Sequence, residues 1–213
     1  MKIVSLALVV TTALISGCAG KVDYVRPSVA VAQGSNVKLI ERPRDAIWTA
    51  SVPEIGKQYF VINNLDKSSG LINLSYSGDP ERFIDCGLIT SHVKNLRGER
   101  IYNFPGEKAQ QTYEVMNDQG LFFIDRKMSL EGRINLVFEE VSPTTTRVTA
   151  NTRYVVNRVG RIRSAATNAT DSRSDSINFN SAGRASFPSN AGGQSLDCAA
   201  NGRLEKDLLE LIR

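Results

Sequence analysis

With 213 residues, 41% of them hydrophobic, the chain can bury one ordinary core, and its formal charge of +4 is too weakly basic for a nucleic-acid binder. No Lys/Arg run is interleaved with aromatics, so no nucleic-acid partner is expected. One histidine and no close carboxylate cluster argue against a metal site, and no phosphate-cradling glycine loop appears, so neither a metal nor a cofactor is expected.

The chain opens on Lys2, followed by an apolar run over 3–15 broken only by Ser5 and the Thr11-Thr12 pair. Two small residues, Ser16 and Gly17, then precede Cys18. This is the charged, apolar and small-residue order of an export signal. The run is too short to cross a bilayer, which takes about 20 residues. Of the three cysteines, Cys18 sits at the cleavage junction, leaving Cys86 and Cys198. An exported protein meets an oxidising compartment, so a Cys86–Cys198 disulfide is expected.

Residues 20–40 lack a helical period and are interrupted by Pro27 and Gly34. They read as an extended tether with a short edge strand near 37–40, reaching roughly 25 Å if flexible. Residues 42–58 read as a first helix, started by Pro43 or Asp45 and kinked or broken at Pro53. Its buried side would be Ile47, Ala50 and Ile55, with Trp48 and Tyr59 beside them.

YFVINNLDKSSGLINLSYSG is the clearest hairpin: strands over 59–65 and 71–76 around the turn 66–70. A short strand is expected over 83–89. Strands over 112–116 and 121–141 are separated by the turn 117–120. In the second, Met128, Leu130, Ile134, Leu136 and Phe138 share one parity, with Gly132 as a bulge or bend. Val148, Ala150, Tyr154 and Val156 continue on one face of the next strand. Residues 157–176 are polar and read as a mobile loop or frayed strand ends, with a last hairpin over 177–187. The chain closes on a helix with Asn201 as its cap. Leu204, Leu208, Leu211 and Ile212 form its apolar stripe, and Glu205 lies on the polar side.

This element order predicts an α+β fold, a curved antiparallel β-sheet packed against an N-terminal and a C-terminal helix. Catalytic patterns are missing. His92 reads as a surface or loop residue, and no GxSxG elbow nominates a serine. Glu139 and Glu140 are adjacent, so on a strand they point to opposite faces. Arg158, Arg161 and Arg163 read as solvated loop charge, with contact to an anionic lipid or glycan as the sharper alternative.

Ile15-Ser16-Gly17-Cys18 resembles the lipobox of bacterial lipoproteins. The resemblance implies a diacylglycerol on the Cys18 thiol, cleavage before it, and firm anchoring by several acyl chains. Ala19, where inner-membrane retention would use Asp, implies sorting to the outer membrane. A second resemblance is carried by Trp48, Asp66, Lys67, Gly70 and Tyr76, which resemble the helix-grip domains of BamC-type lipoproteins. Together these divide the chain into a signal peptide (1–17), a lipidated N-terminus and tether (18–41) and one helix-grip-like domain (42–213). The expected function is non-enzymatic. It is an accessory or scaffold in outer-membrane or envelope assembly, anchored in the outer membrane by its N-terminal lipid, facing the periplasm and bound to an envelope protein. The alternative is a carrier of lipid or a small apolar ligand, in a cavity between sheet and helix. An envelope hydrolase would need a polar cleft near His92.

Overall fold

A computed structural model describes residues 19–28, 34–189 and 195–213. In chain order the elements are β1 (Ala19–Val25), β2 (Val37–Ile40), α1 (Arg44–Gly56), β3 (Val61–Asp66), β4 (Leu71–Gly78), β5 (Ile84–Asp85), β6 (Leu88–Asn95) and β7 (Gly98–Pro105). They continue with β8 (Gln110–Asn117), β9 (Gly120–Ser142), β10 (Thr145–Ser164), β11 (Thr170–Asn180), β12 (Arg184–Phe187), β13 (Leu196–Ala200) and α2 (Arg203–Leu211). The strands form three antiparallel sheets. The largest runs β11-β10-β9-β4-β3, with β2 also on β10 and β8 also on β9. The others are β1-β6-β7 and β12-β13-β5.

The spine is the β9–β10 hairpin, paired from Thr146↔Glu140 to Ser164↔Phe122. Alternation dictates which face is buried, because successive side chains point to opposite sides. Met128, Leu130, Ile134, Leu136 and Phe138 are all buried, and so are Val148, Ala150, Tyr154 and Val156. Gly132 is neither a bulge nor a break, since its pairing with Tyr76 and Tyr154 is in register. A Cβ there would lie 3.1 Å from Leu204 Cδ2, so glycine makes room for α2 against the sheet.

The expected curved sheet gripped by two helices is overturned. Among the described residues 62% are in strands and 12% in helices, so this is a sheet-rich fold with two short helices. The reason is geometric. β9 has 23 residues, about 75 Å of strand contour, whereas the 13 residues of α1 span about 20 Å. Helices of this size cover only one half of such a spine.

That half is well filled. α1 buries Ile47, Trp48, Ser51 and Ile55, and Trp48 meets Phe138 edge-on at 5.3 Å. Ala50 and Tyr59, expected inside, are exposed, and α1 continues through Pro53, which sits only one turn from its end. α2 buries Leu204, Leu208 and Leu209, with Ile212 beyond its end. Leu211 is only partly buried, and Glu205 is buried, contrary to the expected stripe. Asn201 accepts the Arg203 N–H at 3.0 Å, while Gly202, at φ 76°, takes the cap position itself.

The other half of the spine is flanked by sheet β1-β6-β7, which lies against β8. Ser91 Oγ donates to the Glu114 carbonyl at 2.6 Å, Arg100 pairs with Glu114 at 2.7 Å, and Phe104 packs on Tyr113 at 4.9 Å. Residues 157–176, read as a loop, carry the end of β10 and the start of β11, paired from Asn157↔Ser176 to Arg163↔Thr170. The stretch read as a tether contributes β1, paired with β6 at all seven of its residues, and β2, paired with β10. Among the described residues no helix is long and apolar enough to cross a membrane.

The β3–β4 turn shows how a short motif sets a pKa. Asp66 Oδ1 accepts the Ser68 hydroxyl at 2.6 Å, the Ser68 N–H at 3.0 Å and the Ser69 N–H at 3.2 Å. These bonds, the Ser68 hydroxyl first, hold the Asp66 carboxyl down at about 2, against an ordinary 3.8. The folded value is depressed, so the contribution to stability is present above pH 3.8 and is lost as the pH falls toward 2. An NMR titration of the Asp66 carboxyl should give a midpoint at about 2, and Ser68→Ala should raise it. A wild-type midpoint at 3.8 would contradict the turn as described.

Candidate functional site

The buried face of β9 and β10 does not end where the core ends. Beyond Met128 and Val156 the same parity continues as Arg126, Ile124 and Phe122 on β9, and as Arg158, Gly160 and Ile162 on β10. Here the face lines a cleft of about 650 Å3, within the 300–1,000 Å3 usual for small-molecule sites. Tyr113 and Val115 of β8 continue this wall, and Val22 and Tyr24 of β1 with Ile89 of β6 stand opposite. One end opens at Asn117 and Gln119 in and beside the β8–β9 turn, and at Asp171 and Arg173 on β11.

The wall is held in place by ordinary bonds. The Tyr24 hydroxyl donates to the Asp197 carbonyl at 3.0 Å and accepts its N–H at 2.9 Å, which ties β1 to β13. Burial, opposed by that backbone bond, raises the Tyr24 pKa. Leu196 of β13 also lines the cleft, two residues from Cys198, which is bonded to Cys86.

Two guanidinium groups mark the deep end. Arg126 is in register with Gly160, so Arg158 is its diagonal neighbour on the same face. Arg158 is balanced: it donates to the Asp175 carboxylate at 2.8 Å and lies over the Phe187 ring at 4.4 Å. Arg126 is 4% exposed, and its one hydrogen bond among the described residues is a long 3.5 Å contact to the Pro105 carbonyl. Its Nε has no partner among the described residues, and its guanidinium lies 5.3 Å from the Phe104 ring centre. Burial pulls the Arg126 pKa down, the direction desolvation dictates for a cation.

Such an arrangement can bind and orient a ligand. The lining hydroxyl of Ser195 lies 3.5 Å from Asp197 Oδ1, a carboxylate also held by Ser186 and Arg26, and the described residues hold no group of three possible metal ligands. His92 sits on β6 opposite Lys21 and Ile101 and does not line the cleft. A second hollow of about 700 Å3 is lined by Arg133, Asn135, Asn151 and Arg153 on the other face of the spine. Its one acid, Glu205, is already held by Tyr154 and Ser181.

Of the residues singled out in the sequence, Cys18 lies outside the described residues. Cys86 and Cys198 are brought together as a disulfide. Arg158, Arg161 and Arg163 are strand residues and not loop charge. Only Arg158 faces the cleft, while Arg163 lies over Phe123 at 4.3 Å. The expected cavity between sheet and helix is filled, because Leu204, Leu208 and Ile212 are fully buried there. The cleft lies between two sheets instead. Arg126 was not singled out, although FFIDRKM carries a signal: one charge interrupts an apolar parity that runs Phe122, Ile124, Arg126, Met128. Comparison with protein-family models, with curated proteins and with solved structures finds no match.

Proposed function

We propose that this chain is a non-enzymatic, lipid-anchored protein of the outer membrane that faces the periplasm and holds a small, largely apolar ligand between its seven-stranded sheet and the β1-β6-β7 sheet. The observation that carries the reading is the cleft itself. Its apolar wall of Val115, Phe122, Ile124 and Ile162 is a continuation of the core face left uncovered by any helix. The lipobox at Ile15-Ser16-Gly17-Cys18 supports the address. Ala19 is already in β1, which supplies Val22 and Tyr24 to the cleft. A lipid on Cys18 would therefore hold the cleft close to the bilayer, where apolar ligands concentrate.

The full chain, expressed in a diderm bacterium and fed a labelled fatty acid, is expected to incorporate the label and sediment with outer membranes. Cys18→Ser should abolish incorporation. Labelling that survives Cys18→Ser would refute the anchor. For the cleft, native mass spectrometry of the released protein should find a co-purifying small molecule, and an empty protein under all growth conditions would refute the ligand.

A scaffold bound to an envelope protein is the second reading, and the β3 edge favours it. β3 lies at the end of its sheet with Val61 61% and Leu65 44% exposed, which suits strand addition by a partner. Replacing both residues by Lys should release a partner recovered from gently solubilised envelopes. A partner unaffected by that change does not use this edge.

A further inference from the structure

Arg126 is a buried cation with no direct ion-pair partner among the described residues. Removing an ammonium- or guanidinium-sized ion from water costs several kcal/mol unless an opposite charge and hydrogen bonds compensate. Among the described residues that compensation is incomplete: no carboxylate bonds to Arg126, and its Nε has no partner. Asp175 is taken by Arg158, and Glu107, whose carboxylate accepts the Cys86 N–H at 2.9 Å, acts on Arg126 through space without bonding to it. Asp125, its chain neighbour, points to the opposite face of β9. The residues outside the described segments contain no Asp or Glu, so they cannot supply the charge. Arg158 beside it makes the local field more positive still. Yet the guanidinium lines a cleft with an apolar strip of Val115, Phe122, Ile124 and Ile162 along β8, β9 and β10, and polar residues at its opening.

From this geometry we infer that the cleft binds an anionic amphiphile: one carboxylate or phosphate seated on Arg126 at the deep end, and a single apolar chain along β8, β9 and β10. This rests on the reading of the cleft as a ligand site and adds the charge and the orientation of its occupant. Arginine suits the role, because its planar fork gives two parallel donors to a carboxylate or phosphate. The free Nε and the weakly bonded Nη2 of Arg126 are on one edge of that fork.

The test uses the acylated full chain in phosphatidylcholine vesicles. Three single-chain photoreactive probes are compared: a fatty acid, its methyl ester, and a lysophosphatidate. Crosslinked peptides are read by mass spectrometry. The acid and the lysophosphatidate should label β8–β10 peptides. Arg126→Met should cut that labelling about tenfold or more, the loss expected for a charge-assisted hydrogen bond. Arg161→Met, which removes the same charge outside the cleft, should leave it unchanged. Inorganic phosphate alone should not displace either probe, and full displacement would mean a free anion site and overturn the amphiphile. Equal labelling by the ester, insensitive to Arg126→Met, would overturn the anionic headgroup and leave the apolar cleft standing. Absence of cleft labelling by all three probes would refute both. A thermal scan of the probe-free protein separates binding from folding. Arg126→Met should unfold at the same temperature or higher, because it removes an unpaired buried charge. A large fall would show that the charge is already satisfied and overturn the inference.

Discussion

Replacing both Cys86 and Cys198 by Ala is expected to lower the unfolding free energy by about 4–5 kcal/mol. The bridge closes a loop with a sequence separation of 112, for which the chain-entropy model gives about 4.7 kcal/mol. Both cysteines are fully buried, so Ala is the substitution that adds no unsatisfied polar group. β13 pairs with β12 at four positions, but with β5, on the Cys86 side, at only Ala199↔Asp85 and Ala200↔Ile84. The bridge therefore anchors β13 and the entrance to α2, and through Leu196 one wall of the cleft. Guanidinium unfolding with and without a reductant checks this. Reduced wild type and the double variant should share one midpoint, well below that of the oxidised protein. A midpoint indifferent to reductant would contradict the bridge.

Tyr154→Phe is expected to cost about 1.5–3 kcal/mol, although it deletes a single oxygen atom. The Tyr154 hydroxyl donates to Glu205 Oε2 at 2.8 Å, and Ser181 Oγ donates to Oε1 at 2.7 Å. Tyr154 is fully buried and Glu205 is 2% exposed. Glu205 also lies in the first turn of α2, where the helix dipole favours a negative charge. Losing the hydroxyl leaves a buried carboxylate short of a donor, and that penalty exceeds the net worth of an ordinary hydrogen bond. The double variant Tyr154→Phe/Glu205→Leu should therefore recover part of the loss, because both polar partners go together. A double-mutant cycle by urea unfolding reads the coupling, and strict additivity would show that the pair does not act as a unit. The same burial, followed by the Glu205 charge, pushes the Tyr154 phenol above its ordinary value of 10.0. Its raised folded value makes the stabilisation complete below pH 10.0 and progressively lost as the pH climbs above it.

What could be read from the residues alone was what depends on near neighbours. Period-two alternation marks Met128, Leu130, Ile134, Leu136 and Phe138 as one buried face without knowledge of what covers them. Asp66 to Gly70 is a turn because its own side chains close it. Setting Cys18 aside leaves Cys86 and Cys198 to pair, as they do. The strands β6 and β7 and the far ends of β10 and β11 were not legible in the same way. LITSHVKN, GERIYNFP and TDSRSDS carry polar residues on both faces. They are strands because distant backbones satisfy their hydrogen bonds, and side-chain pattern does not report that.

The sequence by itself determined the buried parity of the β9–β10 spine, the β3–β4 hairpin, the presence of the closing helix and the cysteine arithmetic, all set by local spacing and composition. The tertiary structure alone decided that half of the spine is covered by helices and half by a second sheet. It also decided that Gly132 admits Leu204, that Glu205 turns inward, and that Arg126 lines the cleft with its Nε unpartnered among the described residues. Each of these depends on which distant residues arrive at the same place, and a charge is paired or unpaired only once its neighbours are fixed.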